Sequence, residues 1–374
     1  MNPISKFLTT ALTRSWVWLL LLCAPLAFAQ DVATALAQKA DSLVREEIKK
    51  HNIAGVAIAI VVDKKIAVSR AYGFADLENH APATTATLFR TGSIAKPITA
   101  VAAMALYQAG KLDLDAPVQK YCPAFPTKQW TITARELLGH LSGIRHYKED
   151  NADFLSTRHY AHITDAFGMF ADDPLLFEPG TKMQYTTFGY DVVGCVIEGA
   201  SGEDFVSALN ALVFAPAGMT STRTDDAFTI IPYRSRPYTV AADHTLHNSV
   251  FVDTSNKVPG GGLISTENDL ARFAIALESG RLLDSATTNL MWTSQKTSDG
   301  KPTGYGYGWG VHEENGVRTV GHTGGQQGCS SVLWMLPDRG FAVAIMANTD
   351  EVKVLPIAEA LTQAYLQSES GKGI

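Results

Sequence analysis

Ser93 and Lys96 have the residue types and the spacing that nucleophilic catalysis requires. A serine hydroxyl is a weak nucleophile until a neighbouring base takes its proton, and a lysine can be that base only when burial or nearby positive charge lowers its pKa from about 10.4. A depression of about three pKa units corresponds to roughly 4 kcal/mol, so a lysine on the surface would not serve. The pair therefore predicts acyl transfer through Ser93 if Lys96 is buried.

The same spacing is also typical of an ordinary helix start. Ser-x-x-Lys occurs by chance in many chains, with the serine as an N-cap and the lysine solvated. Here apolar residues continue at helical spacing after Ser93 until Gly110, at positions Ile98, Val101, Ala102, Ala105 and Leu106. Ser93 is thus predicted near the first turn of a helix, where backbone N–H groups favour an oxyanion. The catalytic interpretation depends on residues further along the chain.

Tyr185 is a second candidate for proton transfer. It lies just before a predicted helix that begins close to Thr186 or Thr187. A phenol in such a loop could shuttle a proton between nucleophile and leaving group if nearby cations lower its pKa. The alternative is a packed aromatic side chain, which is the more common situation for a single tyrosine.

A glycine-rich run, Gly321-His322-Thr323-Gly324-Gly325, ends a predicted strand. Residues without side chains let a ligand approach the backbone and pair with it as an added strand. The N–H groups of such a run are then available as oxyanion donors. An ordinary tight turn is the alternative interpretation.

The elements that must position these residues are strands at both chain ends and helices between them. A hairpin is predicted from two β-branched runs, residues 56–62 and 65–72, split by Asp63 and Lys64. Four more strands are predicted at residues 307–311, 318–322, 330–336 and 341–346, with helices at 31–52 and 354–366. We predict an α+β fold in which one antiparallel sheet from both chain ends is flanked by helices, with a mainly helical region inserted at about residues 90–230.

Three further segments bear on the middle of the chain. Thr133-x-x-Glu136 and Thr266-x-x-Asp269 are typical of capped helix starts. Residues 145–173 are polar and histidine-rich, and we predict that they are helical with loops.

Residues 1–29 are typical of an export signal, with Lys6 and Arg14, an apolar stretch to Phe28, and a small-residue cleavage site that ends at Ala29. The apolar stretch is short for a membrane span, although an uncleaved anchor is an alternative. Cleavage would remove two basic residues and no acid, and would move the formal charge from -6 to -8. Such a charge argues against a nucleic-acid partner and against a basic membrane-binding face. We therefore predict a mature chain of residues 30–374 in the periplasm.

Three cysteines, Cys122, Cys195 and Cys329, remain after removal of the signal. An odd number in an exported protein leaves at least one thiol unpaired. Since there is no Cys-x-x-Cys pattern, we predict buried small apolar side chains without a disulfide framework, and leave open whether two of them are bonded.

Taken together, these motifs resemble the serine β-lactamase and penicillin-binding protein superfamily, on the side of class C β-lactamases and the related S12-type peptidases and esterases. The resemblance covers nearly all of the mature chain and includes residues 137–144, 179–180, 261–266 and 305–309. Within the superfamily, the chain is most similar to the mitochondrial serine β-lactamase-like proteins and their bacterial relatives. The resemblance implies the β-lactamase/transpeptidase-like fold and an acyl-enzyme mechanism without a cofactor or metal.

The resemblance also implies a role for each motif residue. Ser93 would be the acylated nucleophile, Lys96 its base partner and Tyr185 the second proton-transfer group. The N–H groups of Ser93 and Gly325 would form the oxyanion hole. Whether Lys96 or Tyr185 takes the first proton stays open.

Two positions depart from the usual β-lactamase pattern. Thr187 replaces an asparagine whose amide would hydrogen-bond the substrate, and loss of such a partner can lead to selective rejection. His322, ahead of Thr323 and Gly324, replaces a lysine. We hypothesise that His322 holds a substrate carboxylate or polarises Tyr185, and that it is charged only below a pKa near 6.5.

The expected activity is hydrolysis of a small peptide, amide or ester, with β-lactam hydrolysis as a weak side activity. A true class C-like β-lactamase is one alternative, and an idle penicillin-recognising protein used for binding or assembly is another. Metal-dependent hydrolysis would have to use histidines whose spacing matches no common ligand pattern, namely His140, His146, His159 and His162. An α/β-hydrolase is disfavoured because no Gly-x-Ser-x-Gly motif is present.

Overall fold

The computed structural model describes residues 12–150, 152–314 and 316–370, with side chains described from residue 31 onwards. The first eleven residues of the predicted export signal therefore lie outside the described residues, and so do the side chains of the rest of it. Among the residues that the structure describes, no helix is both long and apolar enough to cross a membrane.

The described elements are numbered in chain order. The strands are β1 (Gly55–Val62), β2 (Lys65–Asp76), β3 (Ala81–Pro82), β4 (Phe89–Arg90), β5 (Arg223–Thr224), β6 (Tyr238–Val240), β7 (Leu246–Asn248), β8 (Leu263–Ser265), β9 (Gly310–Glu314), β10 (Val317–Gln326), β11 (Cys329–Leu336) and β12 (Phe341–Ala347). The helices are α1 (Leu12–His51), α2 (Ala95–Gln108), α3 (Ala134–Leu138), α4 (Thr187–Ser201), α5 (Phe205–Leu209), α6 (Ala215–Ala217), α7 (Val258–Gly261), α8 (Glu267–Glu278), α9 (Ser285–Met291) and α10 (Leu355–Ser370).

Seven of the described strands form one antiparallel sheet in the order β3-β2-β1-β12-β11-β10-β9. The first and last long strands are neighbours, with Val56 opposite Ala347 and Val61 opposite Ala342. The sheet is therefore assembled from both ends of the chain, and helices α2 to α6 belong to the segment between them. This architecture confirms the predicted α+β fold.

Both faces of the sheet are covered, which explains the uninterrupted apolar run of β1. All eight residues of β1 are buried. Val56, Ile58 and Ile60 face the core formed with α1 and α10, whereas Ala57 and Ala59 face the core formed with the inserted helices. Alternate residues of a strand point to opposite faces, so a strand covered on both sides is apolar throughout.

The turns and caps predicted from local sequence are present. Asp63 and Lys64 join β1 to β2 with φ of 51° and 58°, the conformation of a two-residue hairpin turn. Thr133 forms a complete capping box with Glu136 at the start of α3. At the start of α8, the Thr266 side chain accepts a hydrogen bond from the backbone N–H of Asp269 in the first turn of the helix. These signals depend on neighbours in the sequence, and they were therefore predictable.

Two predicted segments differ from the structure. Within 145–173, the described residues form a 3-10 helix over Ile163–Met169 and otherwise turns and irregular backbone, without an α-helix. Their polar side chains bind one another, since Arg145 donates to Asp153 at 2.7 Å and to Asp173 at 2.5 Å, and such pairs stabilise irregular backbone. The strand predicted at 307–311 begins at Gly310, because Gly308 has φ of 84° and interrupts an extended chain.

The sequence left open whether two of the cysteines are bonded, and the structure contains one such pair. Cys122 and Cys195 form a disulfide with an S–S distance of 2.01 Å, whereas Cys329 is a buried free thiol. The two partners are 73 residues apart, so no local spacing pattern announces the bond. Cys195 lies in α4, and the disulfide fastens this helix to the loop that contains Cys122.

We expect loss of this disulfide to lower the free energy of unfolding by about 2–4 kcal/mol, because it closes a long loop in the unfolded chain. Equilibrium denaturation of the wild type and of the Cys122→Ala/Cys195→Ala variant, each with and without dithiothreitol, measures the effect. The reductant should lower the wild-type midpoint and leave that of the double variant unchanged. A wild-type midpoint that is insensitive to the reductant would contradict the bond.

Candidate active site

Ser93 lies in a tight turn between β4 and α2. Gly92–Ile94 form one turn of 3-10 helix, and α2 continues from Ala95, so that the serine is close to the helix start as predicted. Gly92 has φ of 51°, and a Cβ atom there would lie 2.8 Å from the backbone nitrogen of Gly325. A glycine at this position lets the turn pass close to strand β10.

Lys96 reaches Ser93 from the first turn of α2. Its Nζ lies 3.2 Å from Ser93 Oγ, 3.1 Å from Thr187 Oγ1 and 2.7 Å from the carbonyl oxygen of Gly260. A neutral amine has two N–H donors and one lone pair, so it can donate to Gly260 and Thr187 while its lone pair faces the Ser93 hydroxyl. This arrangement holds the amine in position to take the serine proton.

Lys96 is also buried, as its predicted role as a base requires. Its side chain is fully buried because α2 packs against α4 and α7. Burial lowers the pKa of Lys96 to about 7; Asp191 opposes this shift and Lys257 adds to it. A substantial fraction of Lys96 is therefore uncharged at neutral pH.

Tyr185 lies above the lysine, in the loop that leads into α4. Lys96 Nζ lies 4.7 Å from the centre of the Tyr185 ring, and the phenol interacts with the Ser93 hydroxyl. Thr186 is the N-cap of α4, and its side chain accepts a hydrogen bond from the backbone N–H of Gly189. The helix start thus fixes the backbone of Tyr185 within reach of both partners.

Two histidines hold the same loop from the opposite side. The backbone N–H of Thr186 donates to His140 Nδ1 at 3.2 Å, and that of Thr187 donates to His146 Nδ1 at 3.2 Å. The His140 ring packs 4.4 Å from the Tyr185 ring. Burial lowers the pKa of His146 to about 4 and that of His140 well below its usual value, so both rings are neutral acceptors.

Tyr185 stays protonated across the neutral range. Burial raises the pKa of its phenol well above the usual value, and the interaction with Ser93 offsets only part of this shift. A tyrosine in this state can donate a proton but cannot serve as the resting base. The pKa shifts of Lys96 and Tyr185 therefore favour Lys96 as the first proton acceptor.

Strand β10 forms the other wall of the site. Ser93, Tyr185, Thr187 and Gly325 line one cavity, and Tyr185 also lines a neighbouring cavity together with His322 and Thr323. A Cβ atom at Gly324 would lie 2.1 Å from the carbonyl oxygen of Thr91, so this glycine lets β10 pack against the nucleophile turn. Six of the eight predicted site residues line these two cavities, Lys96 is buried behind Ser93, and Gly324 lines a third cavity next to Gly325.

Comparison with known proteins identifies the family. A family model described as Beta-lactamase matches residues 40–366. The chain belongs to the beta-lactamase family. The mitochondrial serine beta-lactamase-like protein LACTB of Homo sapiens is 30% identical over 406 residues, which cover 80% of this chain and 74% of that protein.

Two further similar proteins are named as an esterase and an amidase. Esterase EstB of Burkholderia gladioli is 33% identical over 211 residues, which cover 52% of this chain and 53% of that protein. A D-amino acid amidase from Ochrobactrum anthropi SV3 shares the fold with a TM-score of 0.75 at 23% identity, covering 89% of this chain and 99% of that chain. Members of the family are serine hydrolases, and the fold accommodates esterases and amidases.

Thr187 contacts Lys96, the predicted base. In place of an amide, it offers the hydroxyl that accepts a hydrogen bond from Lys96 Nζ at 3.1 Å. Only 4% of its surface is exposed. Compared with the asparagine of the usual β-lactamase pattern, Thr187 therefore lacks an amide that could reach the substrate, and it gives Lys96 a further hydrogen-bond partner.

His322 has a different partner from the one we hypothesised. Its Nε2 lies 3.0 Å from the hydroxyl of Tyr305, whereas its ring centre is 6.0 Å from that of Tyr185. Burial and the nearby Lys96 lower the pKa of His322 to about 3. A neutral imidazole cannot form an ion pair with a substrate carboxylate, so the charged role is not supported.

We accordingly expect His322 to add no pH dependence to KM for a carboxylate-bearing substrate between about pH 5.5 and 8, because it does not change charge in this range. Steady-state kinetics of the wild type and of His322→Gln across this range, with the methyl ester of the same substrate as the control, measure the effect. Changes of KM that come from Lys96 or Lys257, whose pKa values are about 7, should be the same in both proteins. If KM for the carboxylate rises with pH in the wild type and not in His322→Gln, an imidazolium at His322 binds it after all.

Sequence reasoning missed two buried charged residues and misjudged the histidines. Asp191 lies one turn after Thr187 in α4, and Lys257 immediately precedes α7 and lines the Ser93 cavity. In the sequence, both residues look like ordinary charged residues of the surface. His140 and His146 were considered only as metal ligands, and the one sequence signal was the position of His140 in the segment 137–144 that resembles the family.

Proposed function

We propose that this protein is an exported serine hydrolase that cleaves a small peptide, amide or ester through an acyl-Ser93 intermediate. The observation that carries the proposal is the fully buried Lys96 amine, 3.2 Å from Ser93 Oγ and with its pKa lowered to about 7. Burial supplies an uncharged base at neutral pH, which a Ser-x-x-Lys pair on a surface would lack.

Acylation uses Lys96 and Tyr185 in sequence. Lys96 accepts the proton of Ser93 while Oγ forms a bond to the substrate carbonyl carbon, and the N–H groups of Ser93 and Gly325 stabilise the oxyanion. When the tetrahedral intermediate collapses, Tyr185 donates its proton to the leaving amine or alcohol. Lys96 then returns its proton to Tyr185, so that both groups end in their starting states.

Deacylation uses Lys96 as the base again, with water in place of the serine as the nucleophile. Lys96 accepts a proton from the water, whose oxygen attacks the acyl carbon. The bond to Ser93 Oγ breaks, and the proton returns to Oγ as the acid product leaves. The cycle needs no cofactor and no metal.

Two features favour peptides, amides or esters over β-lactams as the main substrates. Thr187 is occupied with Lys96 and does not offer the substrate an amide, and His322 is neutral where the usual pattern has a lysine. The name of the relative EstB, an esterase, is in line with this substrate class. Efficient β-lactam hydrolysis, as in class C enzymes, remains the alternative.

The proposal of export depends on residues 1–29 and is supported by the disulfide. Bonded cysteines persist in oxidising compartments such as the periplasm, and they are rare in the cytosol. The bond between Cys122 and Cys195 therefore fits a protein that acts after export.

The decisive test is covalent trapping of the nucleophile. Purified wild-type protein is treated with a fluorophosphonate and with a fluorescent penicillin, and the adduct is located by peptide mass spectrometry. We expect labelling at Ser93 and none in Ser93→Ala, and turnover of p-nitrophenyl esters or D-amino-acid peptides above that of a chromogenic cephalosporin. An adduct at another residue would overturn the acyl-Ser93 mechanism, and a folded wild type that neither labels nor turns over would favour the idle binding protein.

A further inference from the structure

Three ionisable side chains meet beneath the nucleophile, and the mechanism above uses only one of them. Lys96 from α2, Asp191 from α4 and Lys257 at the start of α7 are each at most 1% exposed. Both carboxylate oxygens of Asp191 are buried without a hydrogen-bond partner among the described residues. Burial raises the pKa of Asp191 well above its usual value, and Lys96 and Lys257 are the positive charges that oppose this shift and favour the carboxylate.

The packing of the three helices brings these three side chains into one buried region. Helix α4 packs against both α2 and α7. Asp191 lies four residues after Thr187, on the same face of α4, and Thr187 accepts a hydrogen bond from Lys96. Asp191 interacts electrostatically with Lys96 and also with Lys257. The carboxylate therefore acts on both lysines from one helix face.

The other groups that face Lys96 supply no negative charge at neutral pH. They are two protonated tyrosines and three neutral histidines: Tyr185, Tyr190, His140, His146 and His322. Of the described groups that shift the pKa of Lys96, Asp191 is the acid and Lys257 is the other base.

Three contacts of Lys257 favour its charged form against the burial that lowers its pKa to about 7. Its Nζ donates to the carbonyl oxygen of Phe154 at 3.2 Å and lies over the rings of Phe154 and Tyr147, at 4.3 Å and 5.6 Å. The positive charge of Arg90 lowers the pKa of Lys257, although Arg90 is itself paired with Asp225 at 2.7 Å. The buried Cys329 has the opposite effect on Lys257.

We propose that Asp191 and Lys257 are positioning residues for Lys96. The single carboxylate of Asp191 balances one ammonium group, so a proton on Lys257 leaves Lys96 free to accept the proton of Ser93. The inference rests on the proposed function and adds the device that prepares its base. Burial lowers the pKa of both lysines to about 7, and raises that of Asp191 against the opposing effect of the lysines.

The proposal predicts opposite effects from removing the two partners. In Asp191→Asn, Lys96 loses its attracting charge, so the acid limb of the kcat/KM profile should move to lower pH by half a unit or more. In Lys257→Met, Asp191 is left with Lys96 alone, so the limb should move to higher pH by a similar amount. Lys257→Arg keeps the positive charge and should retain the wild-type limb.

The profiles are measured with a p-nitrophenyl ester, and thermal melting shows that each variant is folded. Glu267→Gln, which removes a buried carboxylate from α8 outside the site, is the matched control and should leave the limb in place. Limbs that stay in place in both Asp191→Asn and Lys257→Met, or that move in the same direction, overturn the proposal.

A second measurement separates this inference from the proposed function. Ser93→Ala protein with 13Cε-labelled lysine is titrated by NMR, and Lys96→Met and Lys257→Met in that background assign the two buried lysines. We expect both to titrate near neutral pH, and the Lys96 titration to move upward in Lys257→Met. A Lys96 that titrates near the usual lysine pKa, or that is unaffected by Lys257→Met, overturns the inference even if Ser93 labels. Failure of labelling with a coupled titration instead overturns the proposed function alone.

Discussion

Replacing Lys96 with methionine is expected to lower kcat/KM by roughly 10²- to 10⁴-fold, the usual contribution of a well-placed general base. Methionine fills similar buried space, so the packing of α2 against α4 and α7 should be kept. The amine that lies 3.2 Å from Ser93 Oγ is lost, and Ser93 keeps its place without a base. Because the lost interaction belongs to the transition state, the decrease should appear mainly in kcat.

Two companion variants test the reason for this decrease. Lys96→Arg keeps a positive charge but does not release its proton near neutral pH, so it should be about as inactive as Lys96→Met. Lys39→Met removes a lysine that is exposed on α1 and should keep full activity. More than about a tenth of wild-type kcat/KM in Lys96→Met would show that another group takes the Ser93 proton.

The pH dependence of the wild type follows from the same residue. The protonated ammonium cannot accept a proton, and the pKa of Lys96 is lowered to about 7. The kcat/KM value should therefore rise with pH and reach half its plateau near pH 7, and no such limb should remain in Lys96→Met. Tyr185 adds no alkaline limb in the neutral range, because burial raises the pKa of its phenol.

The sequence could predict what local spacing determines. Ser93 and Lys96 are three residues apart, so the helix that follows Ser93 is enough to bring them together. The β-branched runs around Asp63 and Lys64 likewise predict a hairpin from neighbours alone. The pairing of β1 with β12 needed a further assumption, that strands from both chain ends share one sheet.

What the sequence could not predict depends on contacts between distant segments. Asp191 and Lys257 are 66 positions apart by number, and each is indistinguishable from a surface charge until α4 packs against α7. The same is true of Cys122 and Cys195, whose bond has no local pattern. His322 looked titratable because its reference pKa is near neutral, but burial next to Lys96 keeps it uncharged.

Replacing Tyr185 with phenylalanine is expected to lower kcat/KM for amides by about 10²- to 10³-fold. Phenylalanine keeps the ring that packs 4.4 Å from His140 and loses only the hydroxyl that interacts with Ser93. An amide cannot leave as an anion, so cleavage needs a proton donor at the leaving nitrogen. Tyr365→Phe, which removes a hydroxyl on α10 far from the site, is the control and should be fully active.

The leaving group separates this role from a general loss of structure. Nitrophenolate departs without protonation, so Tyr185→Phe should lower kcat/KM for a p-nitrophenyl ester by less than about tenfold, far less than for the matching amide. A distorted site or a displaced Ser93 would lower both rates alike. Equal losses on the two substrates would therefore remove Tyr185 as the proton donor, and Lys96 would then have to carry the proton from Ser93 to the leaving group directly, since it is the other proton-transfer group adjoining the nucleophile.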